Sequence, residues 1–265
     1  MTVELSYDVV PGRSPMRTTV VLVGSLGSDR SMWDAQCSAL TEVADVIVVD
    51  LRGHGRSPTP SGPYTIAELA EDVLAVLDAN GRDRVHLVGL SLGGAVAQWI
   101  TVHRTARVQT LTLICTAAHF GDPRGWSERA AAVRAKGTDS LADVVVSRWF
   151  TPELIARDAD LASRHRRMVS ATSDEGYAAC CEALSGWDNR EDLGRISAPP
   201  LVIAGEQDPA TPPSDARILA DGIARSRLHV LTAAAHLANV ERAGEVTRLL
   251  VDHISHGEYE TGRAA

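Results

Sequence analysis

The chain has 265 residues, of which 45% are hydrophobic, and a formal charge of −8. That length suffices for one α/β domain with an insertion, burying roughly 70% of the surface its unfolded form exposes. The acidic balance, with no block of Lys or Arg, excludes a nucleic-acid surface, and no apolar run approaches the ~18 residues of a membrane span.

In chain order, Val3 to Val10 reads as an antiparallel edge strand, and apolar runs follow at 20–23, 46–49, 85–88, 111–114, 201–204 and 228–231. Helical stretches at 31–41, 66–80, 95–103, 214–223 and 240–255 alternate with them, the pattern of a mostly parallel sheet covered on both faces. Gly81 ends the second helix. From Ala118 to Glu191 the pattern is helical with no good strand, which predicts a cap over the site. Within it lie Trp126, Trp149, Phe150, Tyr177 and Trp187, a concentration in a chain only 4% aromatic, divided between pocket wall and core filling. The expected division is a core of 1–117 and 192–256, a cap of 118–191, and 257–265 as a tail or the start of a linker to a further domain.

Ser91 lies in Gly89-Leu90-Ser91-Leu92-Gly93, between the strand ending at Val88 and the helix-like stretch from Ala95. Glycines two residues either side let the backbone turn sharply, so that the hydroxyl is expected to stand exposed at the carboxyl edge of the sheet as a nucleophile. Asp208 follows the strand Pro200 to Gly205 and is the expected acid, with Glu206 as the rival carboxylate. His236, in the small-residue loop Ala233-Ala234-Ala235-His236, is the expected base. A hydroxyl is a weak nucleophile until an imidazole takes its proton, and the imidazole needs a carboxylate to hold its tautomer. The order Ser, acid, His is that of the α/β-hydrolase fold, here expected with the helical cap inserted after the sixth strand. Its oxyanion hole would combine the N–H groups of Leu92 and of Leu26, in the loop Gly24-Ser25-Leu26-Gly27. His54, in Asp50-Leu51-Arg52-Gly53-His54-Gly55, is read as part of a structural turn and not as the base. His86, His103 and His229 lack metal-ligand spacing, so neither metal nor cofactor is expected. Met1-Thr2-Val3-Glu4-Leu5 lacks the parts of a signal peptide, which points to the cytoplasm. Cys37, Cys115, Cys180 and Cys181 share no repeated spacing and are expected as buried thiols.

The chain resembles the 3-oxoadipate enol-lactone hydrolases over nearly its whole length. The likeness is carried by Ser25-Leu26-Gly27-Ser28 with Met32-Trp33-Asp34, by the Ser91 elbow, by Arg148-Trp149-Phe150-Thr151-Pro152, by Gly176-Tyr177-Ala178, by Gly205-Glu206-Gln207-Asp208-Pro209, and by His236-Leu237-Ala238-Asn239-Val240-Glu241. Gly24 stands where that family is expected to carry asparagine. The resemblance implies attack of Ser91 on an enol-lactone bearing a carboxymethyl group, giving 3-oxoadipate in the breakdown of protocatechuate or catechol. Other capped carboxylesterases, carbon–carbon bond hydrolases of ring-cleavage products, and a non-catalytic binding protein on the same fold stay open as alternatives. An anionic lactone approaching an acidic protein needs a local cation, for which Arg148, Arg134 and Arg129 are the cap candidates, with Trp149 and Trp126 as pocket walls. The terminal stretch 257–265 faintly resembles the start of a carboxymuconolactone decarboxylase domain, to which some relatives are fused.

Overall fold

The computed structural model describes residues 1–13 and 18–261, with the backbone alone over 256–261. Its strands are β1 (Tyr7–Val10), β2 (Thr19–Val23), β3 (Asp45–Val49), β4 (Val85–Leu90), β5 (Val108–Ile114), β6 (Pro200–Gly205) and β7 (Arg227–Leu231). They form one sheet in the order β1-β3-β2-β4-β5-β6-β7, in which β1 alone runs antiparallel. Each parallel step requires a crossover long enough for a helix. The helices of the core are α1 (Asp34–Leu40), α2 (Ile66–Ala79) and α3 (Leu92–His103). The cap is built of α4 (Pro123–Lys136), α5 (Ala142–Trp149), α6 (Pro152–Arg157), α7 (Ala159–Ala171) and α8 (Asp174–Ser185), and the core resumes with α9 (Pro213–Gly222), α10 (Ala238–Glu241) and α11 (Ala243–Thr261).

Successive strand residues point to opposite faces, so the near-continuous Val/Leu/Ile runs feed two separate cores. Val21, Val23, Leu87 and Leu111 pack with α2 and α3 through Leu69, Val73, Leu77 and Ile100. Val20, Leu22, Val88 and Leu201 face the other way, onto Leu40, Val246, Leu250 and Ile254. The α2 start is a capping box: the Thr65 hydroxyl accepts from Glu68 N, and the Glu68 carboxylate accepts from Thr65 N.

Three sequence expectations change. The cap leaves the sheet after the fifth strand and not the sixth, because the described residues place one antiparallel strand before β2. The last helix is interrupted at Arg242, whose backbone departs from helical geometry, and then runs on to Thr261 through the start of the expected tail; residues 262–265 lie outside the described residues. Of the cysteines, Cys115, Cys180 and Cys181 are buried, whereas Cys37 is half-buried. No helix among the described residues is long and apolar enough to cross a membrane.

Candidate active site

Ser91 occupies the step from β4 to α3 with φ 56° and ψ −114°, a conformation that costs an L-residue energy. The surroundings hold it there. Ser91 N donates to Ile114 O at 3.0 Å, while its carbonyl accepts from Gly94 N at 2.8 Å and from Thr116 Oγ1 at 2.7 Å. The flanking glycines are steric requirements: a Cβ at Gly89 would lie 2.2 Å from Gly93 O, and one at Gly93 would lie 2.2 Å from Val23 O. The turn thus brings α3 against both neighbouring strands, closer than any side chain permits.

Asp208 and His236 come from loops after β6 and β7, which cross where Gly205 admits the carbonyl of Ala235; a Cβ there would stand 2.3 Å from it. Asp208 Oδ2 lies 2.8 Å from His236 Nδ1 and accepts from Thr211 Oγ1 at 2.8 Å, and its Oδ1 accepts from Ala210 N and Thr211 N. Burial pushes the Asp208 carboxyl up, but the charge of His236 and the bonds from His236 and Thr211 prevail and hold it below its ordinary value. Glu206 is exposed and takes no part in this network. The only sequence signal for Thr211 is the Asp-Pro-Ala-Thr spacing, in which a carboxylate can reach back-to-back N–H groups of its own turn.

Ser91 and His236 face the same cavity of about 50 Å³, walled by Leu26, Phe120, Trp126, Arg129, Arg148, Trp149, Tyr177 and Thr211 among others. Among the described residues they share no direct hydrogen bond, a bond that in hydrolases commonly tightens only when substrate arrives. Ser91 is 6% exposed, His236 4% and Asp208 3%, so the expected exposed nucleophile is in fact roofed by the cap.

The loop after β2 is ordered by groups not foreseen. Gly27 N donates to His54 Nε2 at 2.9 Å, and His54 Nδ1 lies 3.1 Å from Arg52 O, so a neutral ring with its proton on Nδ1 satisfies both contacts. Burial lowers His54 to about 4 and keeps that form at neutral pH. Arg52 is itself clamped by Asp72, Nε to Oδ2 at 2.6 Å and Nη2 to Oδ1 at 2.8 Å. With Gly27 N and Gly93 N engaged, the N–H groups of Leu26 and Leu92 have no acceptor among the described residues.

The three cap arginines separate. Arg134 does not reach the cavity: its guanidinium is spent on Glu175 and Glu182, which corrects its expected place at the site. Arg129 and Arg148 line the cavity, and neither has a carboxylate partner among the described residues. Arg129 donates to Tyr177 Oη and lies 5.5 Å from the Trp126 ring and 5.3 Å from the Tyr177 ring. Burial pushes the Tyr177 phenol up, so its hydroxyl stays protonated and can donate in turn. In the sequence Tyr177 stands out as a cap aromatic and within Gly176-Tyr177-Ala178, and neither signals its contact with Arg129.

A family model of the alpha/beta hydrolase fold matches residues 18–243. The chain belongs to that family. The hydrolase is 40% identical over 226 residues to 3-oxoadipate enol-lactonase 2 of Acinetobacter baylyi, spanning 85% of this chain and 84% of that protein. The enol-lactonase from Burkholderia xenovorans LB400 superposes with a TM-score of 0.93 at 38% identity, over 96% of this chain and 97% of that one. A thermophilic esterase from Thermogutta terrifontis matches with a TM-score of 0.91 at 27% identity, covering 96% and 94%. The hydrolase is an ester-hydrolysing enzyme related to the enol-lactonases.

Proposed function

We propose that the protein opens the ring of 3-oxoadipate enol-lactone, or a near analogue, through an acyl-enzyme on Ser91. The observation that carries the choice of an anionic lactone is the pair Arg129 and Arg148, cations without carboxylate partners among the described residues, on the wall of a small cavity otherwise largely aromatic and apolar. His236 takes the Ser91 proton, and Asp208 holds the imidazole by its Nδ1–H and stabilises the cation that forms. The oxygen of the tetrahedral intermediate is received by the N–H groups of Leu26 and Leu92, each such donor being worth about 3 kcal/mol in comparable sites. The C–O bond to the ring oxygen breaks, the departing enolate takes the proton from His236 as the enol, and the enol ketonises. Water then attacks the acyl-enzyme with His236 again as base, which releases 3-oxoadipate and restores Ser91. Arg129, oriented by Tyr177, and Arg148 receive the substrate carboxylate, while Trp126 and Trp149 wall the ring. The substrate is thus an intermediate of aromatic breakdown, and the names of the relatives support that reading.

The test compares kcat/KM on the enol-lactone and on its carboxylate ester, for wild type, Ser91→Ala, Arg129→Met, Arg148→Met and Arg134→Met. Ser91→Ala should stay folded and lose turnover by roughly 10⁵-fold or more. Arg129→Met or Arg148→Met should cost about 2 to 4 kcal/mol on the anionic substrate only, and Arg134→Met should not discriminate. Equal losses on both substrates would refute the carboxylate site.

A further inference from the structure

Glu241 is a carboxylate to which the proposed chemistry assigns no step, yet it sits at a junction. It closes α10, five residues after His236, and is half-buried. Its Oε2 accepts from Ala235 N at 2.8 Å, the residue immediately before His236. Its Oε1 accepts from Thr151 N at 3.1 Å and from the Thr151 hydroxyl. Thr151 belongs to the cap, where it forms the N-cap of α6. On the other side of the histidine, Leu237 N donates to Trp149 O at 2.9 Å, and Trp149 walls the cavity. The residues flanking His236 are therefore both tied to the same three-residue cap segment, one directly and one through Glu241. A carboxylate suits the position because every partner is a donor, and an amide in its place can offer only one accepting oxygen.

We propose that Glu241 is a positioning residue that locks the cap segment 149–151 and the loop bearing His236 into one register, so that substrate fit beneath the cap and proton transfer at His236 rise and fall together. This rests on the serine-hydrolase reading above. A loosened loop would misplace the imidazole, and displacement by about 1 Å can cost 10²-fold in rate.

The experiment uses the full chain and normalises turnover to active sites titrated with a fluorophosphonate. Wild type, Glu241→Gln, Thr151→Val and the double variant are compared on the enol-lactone and on p-nitrophenyl acetate, with Tm measured for each. Glu241→Gln should lose roughly tenfold to 10²-fold in kcat per titrated site on both substrates and raise KM on the lactone. Thr151→Val keeps the side-chain shape, removes the hydroxyl that donates to Glu241 and accepts from Leu154 N at 3.3 Å, and should reproduce the KM effect. The double variant should be little worse than Glu241→Gln alone, as for two members of one linkage. Full kcat per titrated site in Glu241→Gln, with a lower Tm alone, would overturn the proposal and leave Glu241 a structural residue. If Glu241→Gln does not fold, an unchanged KM in Thr151→Val would overturn it equally. Failure of wild type to label at Ser91 would instead remove the underlying reading, and the proposal with it.

Discussion

Two carboxylates stand two residues apart after β6, and position alone separates them: Asp208 is buried against His236, whereas Glu206 points to solvent. Asp208→Asn should therefore cost on the order of 10⁴ in kcat by permitting the wrong imidazole tautomer, while Glu206→Gln should remain close to wild type. Steady-state kinetics on one ester suffices, and a larger loss in Glu206→Gln would reassign the acid. His54 makes a second prediction, in stability. Its folded-state value near 4 lies below the 6.5 of an unperturbed histidine, so between those values the unfolded chain binds the proton and the native one does not. Its contribution is complete above pH 6.5 and fades as pH falls toward 4, by up to about 3 kcal/mol. Denaturant titrations of wild type and His54→Gln across that window should show a flatter pH dependence in the variant; parallel curves would contradict the buried neutral ring.

Cap and core elements meet backbone to backbone at Gly53 and Gly176. A Cβ on Gly176 would lie 2.4 Å from Gly53 Cα, so α8 can approach the turn carrying His54 only because both residues lack side chains. Neither atom belongs to a flexible side chain that could swing away. Gly176→Ala should lift α8 from the core, shift Tyr177 and with it Arg129, and raise KM several-fold, with a loss of about 1 to 3 kcal/mol in stability from overpacking. Gly125, near the start of α4, has nothing within 4 Å of its added Cβ and serves as the control. Gly125→Ala should gain up to about 1 kcal/mol from helix propensity, with KM unchanged. An unaltered KM in Gly176→Ala would show that α8 does not set the pocket.

At the scale of the molecule, a charge of −8 would oppose the approach of the proposed anionic substrate, while Arg129 and Arg148 on the cavity wall would attract it at short range. The long-range part is screened over a Debye length of roughly 10 Å at 0.1 M salt, whereas contacts beneath the cap are screened much less. Raising ionic strength from about 0.01 to 0.15 M should consequently increase kcat/KM for the anionic lactone and leave a neutral ester unaffected. A decrease for the lactone would mean that the arginines, and not the net charge, govern its approach. Among the described residues the cap's buried side chains cluster with those of the core. Tyr177, Cys180 and Val133 join the packing on one face of the sheet, and Trp149, Phe150 and Val169 join that on the other.

The alternation of apolar runs and helices, the glycine-flanked serine and the order Ser, Asp, His were legible because each rests on local chemistry: side-chain period, backbone clearance and turn type. The aromatic cap was visible as a region for the same reason. Which of its cations lines the cavity was not. Arg129 and Arg134 lie five residues apart on one helix, and only the placement of Glu175, Glu182 and Tyr177 on α8 draws one into ion pairs and leaves the other at the cavity. The tie between Gly27 and His54, and that between Glu241 and both Ala235 and Thr151, likewise join segments distant in the chain or in different elements. Short-range pattern set the fold and the proposed reacting trio; hydrogen-bond partners brought together by the packing of cap on core decided the rest, since such pairs exist only once the chain has closed on itself.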